Sequence, residues 1–175
     1  KSALHSPNYR HSRDTAMISA AAIALHVLAA VVWVGGMFFA YLVLRPAVGG
    51  VTPPPERLKL WDRVFGRFFL WVWAAVLVLP ASGYAVIALQ YETFAAAPIH
   101  IHWMHGIGWV MNALFIYLFF APYRAFQAAV AAQDWPTGAA SLNVIRRIVA
   151  INLTLGLITS VLGATGRYWA WVPGN

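Results

Sequence analysis

Four long apolar runs constrain this chain of 175 residues more than any other feature. A helix that spans a bilayer needs roughly 20 apolar residues, and the chain supplies such runs at about 15–44, 60–89, 99–121 and 144–166. None of them shows the alternation that is typical of membrane barrel strands. The sequence therefore predicts an all-α integral membrane four-helix bundle, formed as a single domain over 15–171 and preceded by a polar segment, 1–14.

The composition excludes several other classes of protein. Hydrophobic residues make up 61% of the chain and charged residues 10%, against roughly 45–50% and 25% in soluble domains. The absence of cysteine excludes disulfides, thiolate metal sites and iron–sulfur clusters. The net charge of +7 comes from cations at the ends of the apolar runs, so we interpret it as a topology signal and not as nucleic-acid binding.

The basic residues also predict an orientation. The second connection has no Lys or Arg, whereas the first and third connections and the helix starts beside them contain Arg45, Arg57, Lys59, Arg63, Arg67, Arg124, Arg146 and Arg147. Cytoplasmic loops carry the excess of Lys and Arg. We therefore expect a multi-pass protein of the bacterial inner (cytoplasmic) membrane, with both termini and the segment 1–14 on the periplasmic side.

Two spacings recur in the two halves of the chain. His26 precedes Arg45 by 19 residues, and His105 precedes Arg124 by the same number. In the second and fourth helices, 20 residues separate Arg63 from residue 83 and Arg146 from residue 166. A parallel repeat of helical hairpins would produce this pattern, and chance similarity in an apolar sequence is the alternative.

Four histidines stand within or beside the apolar runs, where ionisable groups are costly and are functional candidates by default. His26 lies in the first run, and His100, His102 and His105 open the third. At 1.5 Å per residue, 19 residues place His26 and His105 each about 28 Å from their arginines. Both should therefore lie near the outer edge of the membrane. His102 and His105 share a helix face, whereas His100 points elsewhere.

Two imidazoles at one level on different helices suit the bis-histidine ligation of a haem b. We predict His26 and His105 as its axial ligands, Trp33 and Gly36 as lining, and Arg167 as a propionate partner. His100 and His102 are candidates for a second haem or for copper. The alternatives are core histidines, glycines and aromatic residues that only pack helices, and an interfacial anchor at Arg167.

The stretch 25–36, followed by Arg45-Pro46, resembles the first helix of the CopD family of copper-resistance membrane proteins. Its His26-x6-Trp33-x-x-Gly36 core also resembles the HemJ family, membrane haem proteins of protoporphyrinogen oxidation. The resemblance implies four spans and a haem ligand at His26. These families typically carry a lysine on the third helix, where this chain has none and has His105 instead.

Three functions follow from these features. The leading one is a b-type cytochrome that transfers electrons with a quinone, a periplasmic redox partner or a small oxidant; a haem-dependent oxidoreductase of the HemJ kind is its enzyme version. The second is copper handling, for which His100, His102, Met104 and His105 offer imidazole and thioether ligands. The third is an assembly subunit without a cofactor. The expected surroundings are the lipid bilayer, and a homodimer is compatible with the sequence.

Overall fold

The structure, a computed structural model, describes residues 7–51, 53–91 and 93–169, with the side chains of 7–12 and 51 left out. Within those ranges the chain is helical and contains no strand. Four helical segments are long and apolar enough to cross a membrane: Arg13–Gly50, Pro54–Gln90, Ile99–Ala131 and Trp135–Tyr168. The predicted all-α membrane four-helix bundle is confirmed.

The segments are built from six α-helices: α1 (Pro7–Phe38), α2 (Arg45–Val51), α3 (Pro54–Gln90), α4 (Ile99–Leu118), α5 (Arg124–Ala131) and α6 (Trp135–Thr165). A π-helical turn, Phe39–Leu44, joins α1 to α2, and another, Phe119–Tyr123, joins α4 to α5. Short 3-10 turns occupy Phe94–Ala96 and Gly166–Tyr168.

The helices extend beyond the predicted runs. α1 begins at Pro7, so residues 7–14 of the polar segment belong to the first helix. α5 continues the third segment because its apolar face is covered, and Phe126 is fully buried. The chain then turns at Asp134, whose carboxylate caps α6 by accepting the Thr137 backbone N–H at 3.1 Å. Hydrogen bonds from the side chain and the backbone N–H of Thr137 hold the pKa of the Asp134 carboxyl below its usual value.

The helices pack around a core that lies in the half of the bundle containing the arginines. α1 packs along α3, and α4 packs along α6. Aromatic rings join α3 to α4, with ring centroids 5.3 Å apart for Trp73 and Phe115 and 5.6 Å apart for Phe69 and Phe115. Phe65 and Phe69 stack on each other on the arginine side of this contact. The histidine half of the bundle lies beyond these rings.

Gly156 marks the point where α1, α4 and α6 meet. A Cβ at this position would lie 2.8 Å from Val34 Cγ2 and 3.2 Å from Met111 Cε. One turn earlier, the buried Asn152 donates from Nδ2 to the Met111 carbonyl at 3.2 Å. The Gly156 junction fixes the relative heights of the three helices and so serves as a reference level.

The two halves share local structure at their arginine ends. Each π-helical turn ends directly before an arginine, Arg45 or Arg124. Arg45 lies 5.0 Å over the Tyr41 ring, and Arg124 lies 5.1 Å over the Phe120 ring. This recurrence adds a structural feature to the spacings that a parallel repeat of hairpins would produce.

Candidate functional site

Three potential ligands lie at similar distances along their helices from the Gly156 junction. They therefore occupy one layer of the bundle. His26 lies eight residues from Val34, or about 12 Å along α1. On α4, Met104 and His105 lie seven and six residues from Met111, or about 10.5 and 9 Å. These heights agree with the similar levels that the sequence predicts for His26 and His105.

His26 lies on the buried stripe of α1. Ser19, Ala22, Trp33 and Met37 are buried, and their spacing from His26 by four, seven or eleven residues places them on one helix face. His26 itself is partly buried. Its imidazole therefore belongs to the face that packs into the bundle.

The hydrogen bonds of Ser82 determine which nitrogen of His26 carries the proton. Ser82 Oγ lies 2.6 Å from the Val78 carbonyl and 3.1 Å from the Leu79 carbonyl, and it donates its single proton there because carbonyls only accept. It must therefore accept from His26 Nδ1, at 3.0 Å. The neutral ring then has an unprotonated Nε2, the arrangement found in metal-ligating histidines whose other nitrogen is held by a hydrogen bond.

His105 has the opposite arrangement. Trp109 Nε1, which only donates, lies 3.1 Å from His105 Nε2, and the Tyr84 hydroxyl lies 2.7 Å from the same nitrogen. The lone pair of Nε2 is thus already in use. Tyr84 follows Ser82 by two residues, or about 200° around α3. The structure therefore places His26 and His105 in one layer but against different sides of α3.

A hydrogen bond of His102 joins the second connection to α4. Its Nε2 donates to the Ala97 carbonyl at 3.1 Å. The Phe94 ring contacts both His102 and His105, with ring centroids 4.4 and 4.8 Å apart. His102 and His105 share a face of α4, as their spacing predicts.

His100 and Met104 lie on another face of α4, against two glycines of the fourth segment. A Cβ at Gly166 would overlap the His100 ring, and one at Gly163 would lie 3.0 Å from Met104 Cε. Because they are four residues apart, His100 and Met104 are neighbours on the helix surface. An imidazole and a thioether therefore stand side by side where α4 faces the fourth segment.

The remaining predicted site residues lie outside this layer. Trp33 is buried in the core with its ring edge-on to Phe115. The Phe68 ring occupies the space beside Gly36, and a Cβ at Gly36 would overlap it unless the ring moved. Arg167 is exposed, and its guanidinium lies over the neighbouring Tyr168 ring. Trp33 and Gly36 therefore pack helices in this structure, and Arg167 lies at the surface.

The family of the chain is shown by its second, third and fourth membrane segments. The model of the family "copper resistance protein D", CopD, matches residues 62–165, well over half of the chain. The chain belongs to the CopD family. Comparison with curated proteins and with solved structures gave no match.

Membership of the CopD family agrees with the resemblance seen in the first helix, although the match begins only at residue 62. The HemJ resemblance stays a prediction. Together with the four spans, the match identifies a multi-pass membrane protein of the CopD family. Its matched region contains His100, Met104 and Ser82, and His26 lies before it.

Sequence reasoning missed one residue of this candidate site. Ser82, the hydrogen-bond partner of His26, is not among the site residues that the sequence predicts. A hydroxyl two residues after Pro80 in an apolar helix was the available signal. Among the described residues, no three His, Asp or Glu side chains converge, so a metal ion here would depend on ligands such as the Met104 thioether.

Proposed function

We propose that this CopD-family protein handles copper, binding the ion at the histidine end of the bundle through His26 and Met104. Imidazole and thioether groups are the ligands that suit a cuprous ion. Copper is the cargo in this proposal, and the family match supports it. His100, one turn from Met104, is the next candidate ligand.

The observation that carries the proposal is the hydrogen bond between His26 Nδ1 and Ser82, from which we infer an unprotonated Nε2. The Ser82 hydroxyl fixes the proton on Nδ1, and the ring stands on the buried stripe of α1 at the height of Met104. His26 therefore needs neither deprotonation nor a change of tautomer to bind a metal ion. Beyond this layer the core is closed by rings such as Trp33 and Phe115, so the proposed site is at one end of the bundle.

A haem b is the second candidate. The same free Nε2 of His26 suits haem iron, and a b-type cytochrome would then transfer electrons with a quinone or a periplasmic redox partner, or catalyse a haem-dependent oxidation. A second axial imidazole from His105 would require its Nε2 to leave Trp109 and Tyr84. The copper proposal requires no such exchange of partners.

The test is cuprous-ion binding by purified protein in detergent, measured by competition with a colorimetric chelator. Wild type is compared with His26→Ala, with the volume-conserving Met104→Leu and with His105→Ala. We expect the first two variants to lose at least about tenfold in affinity, since even outer-shell changes cost 10–100-fold. His105→Ala should bind like wild type because its Nε2 is engaged elsewhere.

Absorption spectra of the same samples, oxidised and then reduced, distinguish the two candidates. Purified wild type that contains haem and does not bind copper would overturn the copper proposal. In that case, loss of the low-spin spectrum in both His26→Ala and His105→Ala would establish the bis-histidine haem. Copper binding that is unchanged in His26→Ala would show that the ion is held elsewhere.

A further inference from the structure

A short turn follows α6 directly and lies against α4 at the histidine end of the bundle. It is a 3-10 helix, Gly166–Tyr168, with Trp169 after it. The Trp169 backbone N–H donates to the Gly166 carbonyl at 3.1 Å and closes the turn. Gly166 is buried, whereas Arg167 and Tyr168 are exposed. One side of the 166–169 turn therefore packs onto the bundle and the other side does not.

The packed side of the 166–169 turn encloses His100. A Cβ at Gly166 would overlap the His100 ring, and the Trp169 ring lies edge-on to it, with ring centroids 6.5 Å apart. His100 is accordingly only 9% exposed. Its imidazole lies between α4 and the turn, and a metal ion has little access to it in this arrangement.

Met104, the neighbouring ligand candidate, is held differently. It lies against Gly163, which belongs to α6 itself, and a Cβ there would lie 3.6 Å from Met104 Sδ. The backbone of α6 is a continuous α-helix, whereas a 3-10 turn has poorer hydrogen-bond geometry. Short elements with few buried contacts open at a lower free-energy cost than packed helices. A packed helix thus sets the position of Met104, and a segment that opens more easily sets that of His100.

We propose that the 166–169 turn is a cover that keeps His100 out of the copper site and opens when a cuprous ion binds. This role depends on the proposed copper function. An ion bound by His26 and Met104 is one helical turn away from His100, and a further imidazole is a ligand that suits it. The ring can reach the ion only after leaving its place against Gly166. Because only the open state supplies this ligand, copper shifts the turn towards that state.

The test is limited proteolysis of the full chain in detergent by trypsin, with and without cuprous ion under reducing conditions. Arg167 lies inside the turn, and a protease cleaves a locally opened segment, so the rate of cleavage after Arg167 follows the open population. Mass spectrometry of the products measures this rate. Cleavage after Arg124, which is exposed at the other end of the bundle, is the internal reference. We expect copper to accelerate cleavage after Arg167 at least about fivefold relative to the reference.

His100→Ala and Trp103→Ala are the matched variants. Both remove a ring from the first turns of α4, but Trp103 is 59% exposed and points away from the bundle. Without copper, we expect cleavage after Arg167 to be at least about fivefold faster in His100→Ala than in wild type, and the response to copper to be lost. Trp103→Ala should behave as wild type. Gly166→Ala should also open the turn without copper, because its methyl group overlaps the His100 ring.

Several outcomes would overturn the proposed cover. Copper that binds in the chelator competition without changing cleavage after Arg167 would exclude the cover and leave the copper proposal standing, whereas absence of copper binding would overturn both. Slower cleavage with copper would mean that the ion tightens the turn. If His100→Ala does not yield folded protein, Gly166→Ala takes its place, and a wild-type rate of cleavage there would show that the His100 ring does not depend on the turn.

Discussion

His26, His102 and His105 differ in the ring nitrogen that their neighbours leave free. His26 is held at Nδ1 by a hydroxyl, His102 donates from Nε2 to a carbonyl, and His105 accepts an indole N–H at Nε2. The chemistry of an imidazole depends on this choice as much as on its position. Of the three histidines, His26 is the one whose neighbours engage Nδ1 and leave Nε2 to bind a metal ion.

The role of Ser82 gives a prediction at the same scale. Ser82→Ala removes the acceptor of His26 Nδ1–H, and the ring can then turn or change tautomer. We expect cuprous-ion affinity to fall about 10–100-fold, the usual effect of losing a partner of a ligand. Chelator competition measures this change.

Ser160→Ala is the matched control for Ser82→Ala. Among the described residues, the Ser160 hydroxyl bonds to the Gly156 carbonyl of its own helix, at 2.8 Å. Copper affinity should therefore stay at the wild-type value, and Ser82→Thr, which keeps a hydroxyl, should restore most of the lost affinity. An equal loss in Ser160→Ala would mean that Ser82 acts only through helix stability.

Residue spacing predicted the common level of His26 and His105 and the shared face of His102 and His105, because both follow from the pitch of a single helix. It could not predict the hydrogen bonds. Ser82 and Tyr84 reach the histidines from another helix, and which side of α3 faces which partner depends on packing. The same limit applies to Gly36 and Trp33, whose contacts with Phe68 and Phe115 could not be predicted from spacing; their role as haem lining stays a prediction.

At the scale of the helices, glycines have two different roles. Gly156 allows Val34 and Met111 to approach one helix from both sides, whereas no atom lies within 4 Å of a Cβ built at Gly108. Sequence alone does not separate these cases. It also did not predict α5, because the segment is amphiphilic and its buried face becomes apparent only when Phe126 is packed.

Gly156→Ala should destabilise the bundle, since the new methyl group overlaps Val34 and lies tightly against Met111. Overpacking of this kind costs about 1–3 kcal/mol, and unfolding by sodium dodecyl sulfate, followed by circular dichroism, measures it. Gly108→Ala is the control and should be neutral or slightly stabilising, because alanine favours helix and meets no neighbour. Equal stability of the two variants would contradict the close contact of the three helices.

At the scale of the whole molecule, the orientation stays a prediction from the arginines. The chain contains no cysteine, so single cysteines report on their positions without background labelling. We expect a membrane-impermeant maleimide to label Ala95→Cys in intact cells. Pro53→Cys and Ala132→Cys should react only after the membrane is permeabilised, because cytoplasmic connections carry the excess of basic residues.

All three cysteines replace residues that are exposed in the structure, so differences in labelling report on sidedness and not on burial. The reverse pattern would place the histidine layer at the cytoplasmic face. Copper would then reach His26 from inside the cell.

The recurrence of π-helical turns before Arg45 and Arg124 has a consequence for biogenesis. Each half of the chain is a helical hairpin with its own basic end, so each half contains the information that orients it during insertion. Helices that insert independently associate afterwards through packing, and here the halves meet at Val34 and Gly156 and at Trp73 and Phe115. Two fragments divided between α3 and α4 would accordingly insert in the same direction, and a functional protein would form when both are synthesised in one cell.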